Sequence, residues 1–462
     1  MTIFDKLKKE SGKYLPMHMP GHKRKTPAKY LKKLSADIDI TEIDEFDDLH
    51  DPSGIIAEAQ ERAASLWGAE HSHILVGGST VGILAGIYSC VLPSDEIILS
   101  RNCHKSVYHA IEVCGAVPKY IMPEINDGIF SSVSPELVKN ALASHPKAKL
   151  VVITSPTYEG VISDIEGIAA VCHEKHVPLL VDEAHGAHLG LSESFPAGAV
   201  KACADIVVQS LHKTLPSLTQ TAVAHVGGLC DDKKFSRALD VFETSSPSYL
   251  LMASADGCFE FIKEKPEAFA KWREALSLFY DKTASLKNLK IYRGEGAFAF
   301  DESKIVISTK NAGITGFELM KAMREQCGVE LEMASLRYAV AMTGLFDSKA
   351  SLSRLAGALK KIDKTLSHAE SAPDTSVLLP KYALTPKEAA MYPQETVFSG
   401  EAEGCVSAEC IWAYPPGIPM IVSGEVFSEE TILRIKALAE AGADIKAADK
   451  SLKTFKVVKK LY

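Results

Sequence analysis

A chain of 462 residues exceeds what one hydrophobic core usually organises, so two domains are expected, with an arm at the amino end. Its 46% hydrophobic and 24% charged content is that of an ordinary globular protein, and a net charge of −8 argues against a general nucleic-acid surface. The ten cysteines include no Cys-x-x-Cys pair, which fits a reducing compartment better than a disulfide framework or a zinc ribbon.

Residues 1–10 alternate charge and lack the apolar centre of a signal peptide, so a cytoplasmic protein is expected. Next, Met17-His18-Met19-Pro20-Gly21-His22-Lys23 reads as an irregular arm around a Pro-Gly turn. Six basic residues (Lys23, Arg24, Lys25, Lys29, Lys32 and Lys33) then form a solvated or subunit-contacting face rather than a polyanion site. Thr41 to Pro52 holds six acids in twelve residues, among them Asp44, Glu45, Asp47 and Asp48. That density is too high to bury readily, which leaves two readings open, a solvated loop or a cation-binding rim.

From Ile55 the apolar spacing is helical up to Trp67-Gly68, after which strand and helix alternate. His73–Val76 runs into Gly77-Gly78-Ser79-Thr80 and a helix near Val81, whose apolar run to Leu92 is too short to span a bilayer. Glu96–Leu99 ends at Arg101-Asn102-Cys103-His104-Lys105-Ser106, and Leu150–Ile153 ends at Thr154 to Gly160. Val177–Val181 ends at Asp182-Glu183-Ala184-His185, and Asp205–Val208 ends at Ser210-Leu211-His212-Lys213-Thr214. Continuous apolar runs of this kind predict a mostly parallel sheet covered on both faces, with ligands gathering beyond the carboxyl ends of the strands. After residue 235 the pattern is helical, through Phe259 to Leu286. A smaller α+β region is expected from Lys304–Ser308 onward, ending near the turn-rich Ala413 to Pro419. The resulting division is 1–50 (arm and acidic segment), 51–300 (large α/β domain) and 301–462 (carboxyl-terminal α+β domain).

The polar clusters limit the chemistry. Gly77-Gly78-Ser79-Thr80 supplies glycine clearance and hydroxyls at a helix amino terminus, which suits a phosphate, but no Lys-Ser/Thr follows to make a Walker loop. Asp182-Glu183-Ala184-His185 therefore is not the nucleotide box whose letters it shares. Asp182, His185 and His188 lack a further ligand at similar spacing, so no metal is expected. An aldehyde cofactor on a pyridine ring needs a lysine, a carboxylate for the ring nitrogen, a flat group over the ring and a phosphate anchor. Lys213, Asp182, His104 and Ser79/Thr80 meet those four needs.

These motifs resemble the ornithine/lysine/arginine decarboxylase family of fold type I pyridoxal-phosphate enzymes, in its shorter bacterial form without an amino-terminal wing domain. The matching residues are Met19 to Lys23, Asp47-Asp48-Leu49-His50, Gly78 to Thr80, Arg101 to Ser106, Asp182 to Gly186 and Ser210 to Lys213. Val406-Ser407-Ala408-Glu409, Tyr414 to Pro419 and Gly424-Glu425 complete the match. The resemblance implies a pyridoxal 5'-phosphate site with Lys213 as covalent anchor, Asp182 on the ring nitrogen and His104 stacked on the ring. It places Gly78, Ser79, Thr80, Ser210 and His212 around the phosphate and His185 beside the cofactor, with His212 or Lys213 returning the proton. It also implies a homodimer or higher homo-oligomer and a basic amino-acid substrate, arginine first, with lysine and ornithine as alternatives. The distal cation of that substrate needs a carboxylate, for which Asp44, Glu45, Asp47, Asp48 and Glu425 are the candidates. An aminotransferase or aldolase on the same scaffold, or a weakly active cofactor-binding protein, are the rival readings. The sequence departs from the family at Arg24-Lys25, where glycines are expected, and at Cys405, where an arginine is expected.

Overall fold

The computed structural model describes residues 1–13, 15–25, 29–369, 379–414 and 418–459. They form two compact units that interleave along the chain. The first comprises Met1–Ser89, Leu180–Ala270 and Gly344–Phe346, and the second Cys90–Leu179, Lys271–Thr343 and Asp347–Tyr462.

Neighbouring strands in the first unit are His71–Leu75, Ala222–Val226, Ile206–Ser210 and Leu179–Asp182, in that order. His71–Leu75 and Ile206–Ser210 both pair antiparallel with Ala222–Val226, so they share one direction, and Leu179–Asp182 runs parallel to Ile206–Ser210. Three carboxyl ends therefore open toward the same edge of the sheet, as expected. Ala222–Val226 carries little signal in the sequence, because His225 interrupts a short apolar run. It makes the sheet mixed rather than wholly parallel. Every residue of Ile206–Ser210 and Ala222–Val226 is buried, which accounts for their near-continuous apolar sequences.

The helix Ile55–Trp67 covers this sheet and stops at Gly68, whose φ of 74° suits glycine. Its amino end is closed by Asp47, whose carboxylate accepts the N–H groups of Ser53, Gly54 and Ile56 at 2.8 to 2.9 Å. Burial opposes the charge, but these backbone donors outweigh it and hold the Asp47 carboxyl below its ordinary range. The amino terminus is less of a free arm than expected. Ile3–Glu10 is a helix with a Thr2/Asp5 capping box, and Ile3 and Leu7 are buried. Beyond it, Arg24, one of the two positions where glycines are expected, adopts a φ of 56°, the region that favours glycine, as does the preceding Lys23 at 54°, whereas Lys25 does not.

In the second unit Glu96–Ser100 lies between Ala148–Thr154 and Val117–Ile121, parallel to both. Val117–Ile121 carries Pro118 and ends the strand order, the edge position in which a missing N–H is tolerated. A separate antiparallel sheet orders Lys290–Ile291, Lys304–Ser308, Tyr338–Met342 and Met333–Ala334. Near the carboxyl end, Ile411, Ile421, Phe427, Ile435, Phe455 and Val457 form one core, with Phe427 stacked on Phe455 at 5.0 Å and Cys405 packed at its margin. The segment read as turn-rich contributes two strands to it, Ile411–Tyr414 and Ile418–Ile421, paired antiparallel. Pro415, Pro416 and Gly417 lie outside the described residues.

Candidate active site

In the first unit the strand Ile206–Ser210 passes into a single helical turn, Leu211–Thr214, held by the buried Leu211 and by its N–H on the Thr221 carbonyl. This turn presents Lys213, whose Nζ lies 2.8 Å from His185 Nε2. His212 points its Nδ1 at the Thr221 carbonyl at 2.9 Å, which requires the proton on Nδ1 and leaves the lone pair on Nε2. Burial, helped by the Lys213 charge and opposed by the Thr221 bond, lowers the His212 pKa, so the ring is neutral at pH 7.

Asp182 ends the neighbouring strand with 4% of its surface exposed. Burial pushes its carboxyl pKa up, while the Lys213 charge and the Ala184 N–H at 3.1 Å pull it down. Trp67 ties the following loop in place through an Nε1–H bond to the Ala187 carbonyl at 3.2 Å.

Behind Asp182 runs a buried chain of polar groups. Glu183 accepts the Ala199 N–H at 2.8 Å and the Gln209 amide at 2.7 Å. The Gln209 oxygen then faces His225 Nε2 at 3.2 Å, and His225 Nδ1 meets Ser72 Oγ at 2.7 Å. Each orientation fixes the next, so His225 is neutral with its proton on Nε2. Burial, with a smaller push from His73, drives its pKa down to about 3. The unfolded chain therefore binds a proton near pH 6.5 that the folded chain refuses, and stability falls as pH drops between those values, at up to about 1.4 kcal/mol per pH unit. His225→Gln is expected to flatten the change in urea midpoint between pH 7 and pH 5; an unaltered slope would assign that pH dependence to other groups.

The third strand end forms the cradle. Gly78 has a φ of 77°, and a Cβ at Gly77 would stand 2.4 Å from Val81 Cγ2, so both glycines are required by the turn into the helix Ser79–Cys90. Ser210 Oγ donates to Ser79 Oγ at 3.0 Å, linking the cradle to the lysine strand. Two residues that carried no sequence signal brace it. Glu243 accepts the N–H groups of Val76 and Gly77 at 3.1 and 3.0 Å, and the Gln220 amide donates to the Val76 carbonyl at 2.5 Å.

The acidic segment lines a cavity of about 730 Å³ in the same unit, together with Lys6 and Glu58. Its acids are not equivalent. Asp47 is committed to the helix cap, Glu45 pairs with Lys13 at 3.0 Å, and Asp48 accepts the His50 N–H at 2.9 Å, whereas Asp44 is exposed on the rim. In the second unit, His104 caps the helix Lys105–Cys114, its Nδ1 2.9 Å from Ser106 Oγ. Glu425 is fully buried, with both carboxylate oxygens held by Arg101 at 2.7 and 3.0 Å. That geometry takes Glu425 away from the role of partner to a substrate cation.

An amine, a carboxylate shielded from water and a hydroxyl-lined helix terminus thus stand at three strand ends of one unit. A buried carboxylate with an elevated pKa is matched by a pyridinium N–H, and the glycine cradle by a phosphate, so the residues present fit pyridoxal 5'-phosphate. Fold and donor set define a pyridoxal-phosphate enzyme of fold type I. Comparison with known proteins narrows the class. Residues 7–329 match the Orn/Lys/Arg decarboxylase major domain and residues 369–445 the Orn/Lys/Arg decarboxylase C-terminal domain. The arginine decarboxylase of Bacillus subtilis is 34% identical, covering 99% of this chain and 97% of that protein. Lysine decarboxylase LdcA of Pseudomonas aeruginosa is 30% identical over 52% of this chain and 36% of its own length. The solved structure of lysine decarboxylase A from Pseudomonas aeruginosa shares the fold, with a TM-score of 0.83 and 21% identity, over 99% of this chain and 80% of that one. This chain belongs to the Orn/Lys/Arg decarboxylase family, and is a pyridoxal-phosphate-dependent carboxy-lyase acting on a basic amino acid.

Proposed function

We propose that the protein converts L-arginine to agmatine and carbon dioxide, supplying polyamine and in particular spermidine synthesis, as a cytoplasmic homodimer. The observation that carries the choice of arginine is the end-to-end likeness to an arginine decarboxylase, set against a likeness to a lysine decarboxylase over only half the chain. No helix among the described residues is long and apolar enough to cross a membrane.

Bound pyridoxal phosphate supplies an aldehyde to condense with the substrate amine and a ring that accepts the electron pair left on the α-carbon. Lys213 would be the covalent anchor, with its amine free again once substrate is bound. Asp182 would keep the ring nitrogen protonated, the family resemblance gives His104 the role of stacking on the ring, and His185, beside Lys213, would border the cofactor. Gly78, Ser79, Thr80, Ser210 and His212 hold or border the phosphate. As the carboxylate leaves as carbon dioxide, the α-carbon takes up one proton. His212 is neutral with its Nδ1–H committed to Thr221, which leaves the freed Lys213 ammonium as the donor. The resemblance offers the acidic segment for the distal guanidinium, and within it Asp44 is the exposed member, since Asp47, Glu45 and Asp48 are engaged elsewhere, although the cavity they line includes none of the cofactor residues.

Carbon dioxide release from arginine, lysine and ornithine in parallel tests the substrate. Preference for lysine or ornithine would replace arginine in this reading; transamination products would end it. Asp44→Asn is expected to raise KM for arginine about tenfold to a hundredfold, the worth of one charge-assisted contact, with cofactor absorbance unchanged. Unaltered preference in both Asp44→Asn and Asp48→Asn would place the specificity group elsewhere.

A further inference from the structure

Arg101 is pinned at almost every polar atom it has. Its N–H donates to the Ile121 carbonyl at 2.9 Å, and its own carbonyl accepts the Tyr108 hydroxyl at 2.7 Å. The guanidinium meets Glu425 fork to fork and lies over the rings of Tyr120 and Tyr108, 4.9 and 5.7 Å from their centroids. Glu425 is fixed in turn. One of its carboxylate oxygens accepts the Val422 N–H at 2.7 Å, its carbonyl accepts the Ser407 N–H at 2.7 Å, and it forms an isolated bridge with Tyr382.

Such a pair is a poor way to gain stability. Taking two full charges out of water costs several kcal/mol each, and apolar residues of similar volume often serve a core as well or better. What the fork supplies is orientation. The atoms it orients begin the turn that carries His104: Cys103 N–H closes onto the Ser100 carbonyl at 3.1 Å, and Arg101, Asn102 and Cys103 are all buried. His104 then starts the helix Lys105–Cys114, and Tyr108 on that helix returns its hydroxyl to the Arg101 carbonyl. The segment from Arg101 through His104 to Tyr108 is thus closed on itself by the Tyr108 bond, with the ion pair at its start and the imidazole, held by Ser106, inside it.

We propose that the Arg101–Glu425 ion pair is a positioning device for His104, through which a residue 324 places further along the chain sets the ring that faces the cofactor. The proposal rests on the reading of His104 as the group stacked on pyridoxal phosphate. Glu425 and Arg101 act through His104 and touch neither cofactor nor substrate.

The test removes both charges together, in Arg101→Met/Glu425→Leu, so that neither is left buried alone. Thermal midpoint, the affinity of cofactor-free protein for pyridoxal phosphate and the visible absorption band of the loaded protein are measured beside His104→Ala and the triple variant. The expected result is a midpoint close to the parent's, cofactor affinity weakened about tenfold, a band shifted in the sense of His104→Ala, and no further loss in the triple variant. Parent-like affinity and band in the folded double variant would overturn the proposal, as would losses that add to those of His104→Ala. Failure of the double variant to fold would make the pair a folding element and overturn it equally. None of these readouts depends on which amino acid is decarboxylated. Parent-like affinity in His104→Ala alone would instead remove the stacking role, and the positioning role with it.

Discussion

Replacing Lys213 by alanine is expected to abolish the visible absorbance of covalently held cofactor, to leave nothing for borohydride to fix, and to lower turnover by about 10⁴-fold or more. The geometry makes this lysine hard to substitute. It stands on a four-residue turn, 2.8 Å from His185 and at the end of a fully buried strand, while Ser210 of that strand is bonded to Ser79 in the cradle. Absorbance and borohydride fixation of the purified variant settle the matter, since covalent cofactor on a different lysine would show the anchor to be misassigned. Loss of covalent attachment with phosphate-dependent binding retained would show that the cradle works independently of the lysine.

What the sequence discloses and what it hides have physical causes. The strand ends bearing Asp182 and Lys213 are legible because each couples a fully buried, mainly apolar run to an abrupt polar cluster, and the one bearing Ser79 because Ile74-Leu75-Val76 runs straight into two glycines and two hydroxyls. Ala222–Val226 and Val117–Ile121 escape notice because His225 and Pro118 break their apolar character. Each is tolerated for a reason visible only in three dimensions, a buried hydrogen-bond chain for His225 and the end of the strand order for Pro118. The braces on the site are hidden more deeply. Glu243 lies 166 residues from the Gly77 N–H that it accepts, and Glu425 lies 324 from Arg101, so no local pattern marks either. Glu425 also shows how a motif can be found without its partner being visible. Proximity to a signature suggested a contact with substrate, whereas the fold gives the carboxylate a guanidinium of its own. The sequence of the acidic segment admits two readings, and the structure separates its members by occupation: a helix cap for Asp47, an ion pair for Glu45 and an open rim for Asp44.

Asp182→Asn is expected to move two observables in opposite directions. In cofactor-free protein the Asp182 carboxylate is buried, and burial outweighs the opposing Lys213 charge and Ala184 N–H, so its folded-state pKa lies above the unfolded value of 3.8. A carboxyl of this kind binds its proton more readily folded than unfolded, so stability declines as pH rises above 3.8 until the folded group has ionised. At neutral pH the carboxyl therefore costs the cofactor-free fold some stability, and asparagine, which keeps the shape and the acceptor for Ala184, relieves it. The cofactor-free variant should melt higher than the parent at pH 7, with the gap closing as pH approaches 3.8. Turnover should fall by roughly a hundredfold or more at saturating cofactor, the scale of losing one key electrostatic group, because the amide cannot hold a proton on the ring nitrogen. A variant that is both more stable without cofactor and slow with it would show a charge kept for catalysis at the expense of the fold. A near-normal rate at saturating cofactor would remove Asp182 from the ring nitrogen, and a lower melting point at pH 7 would show that Lys213 and Ala184 already compensate its charge.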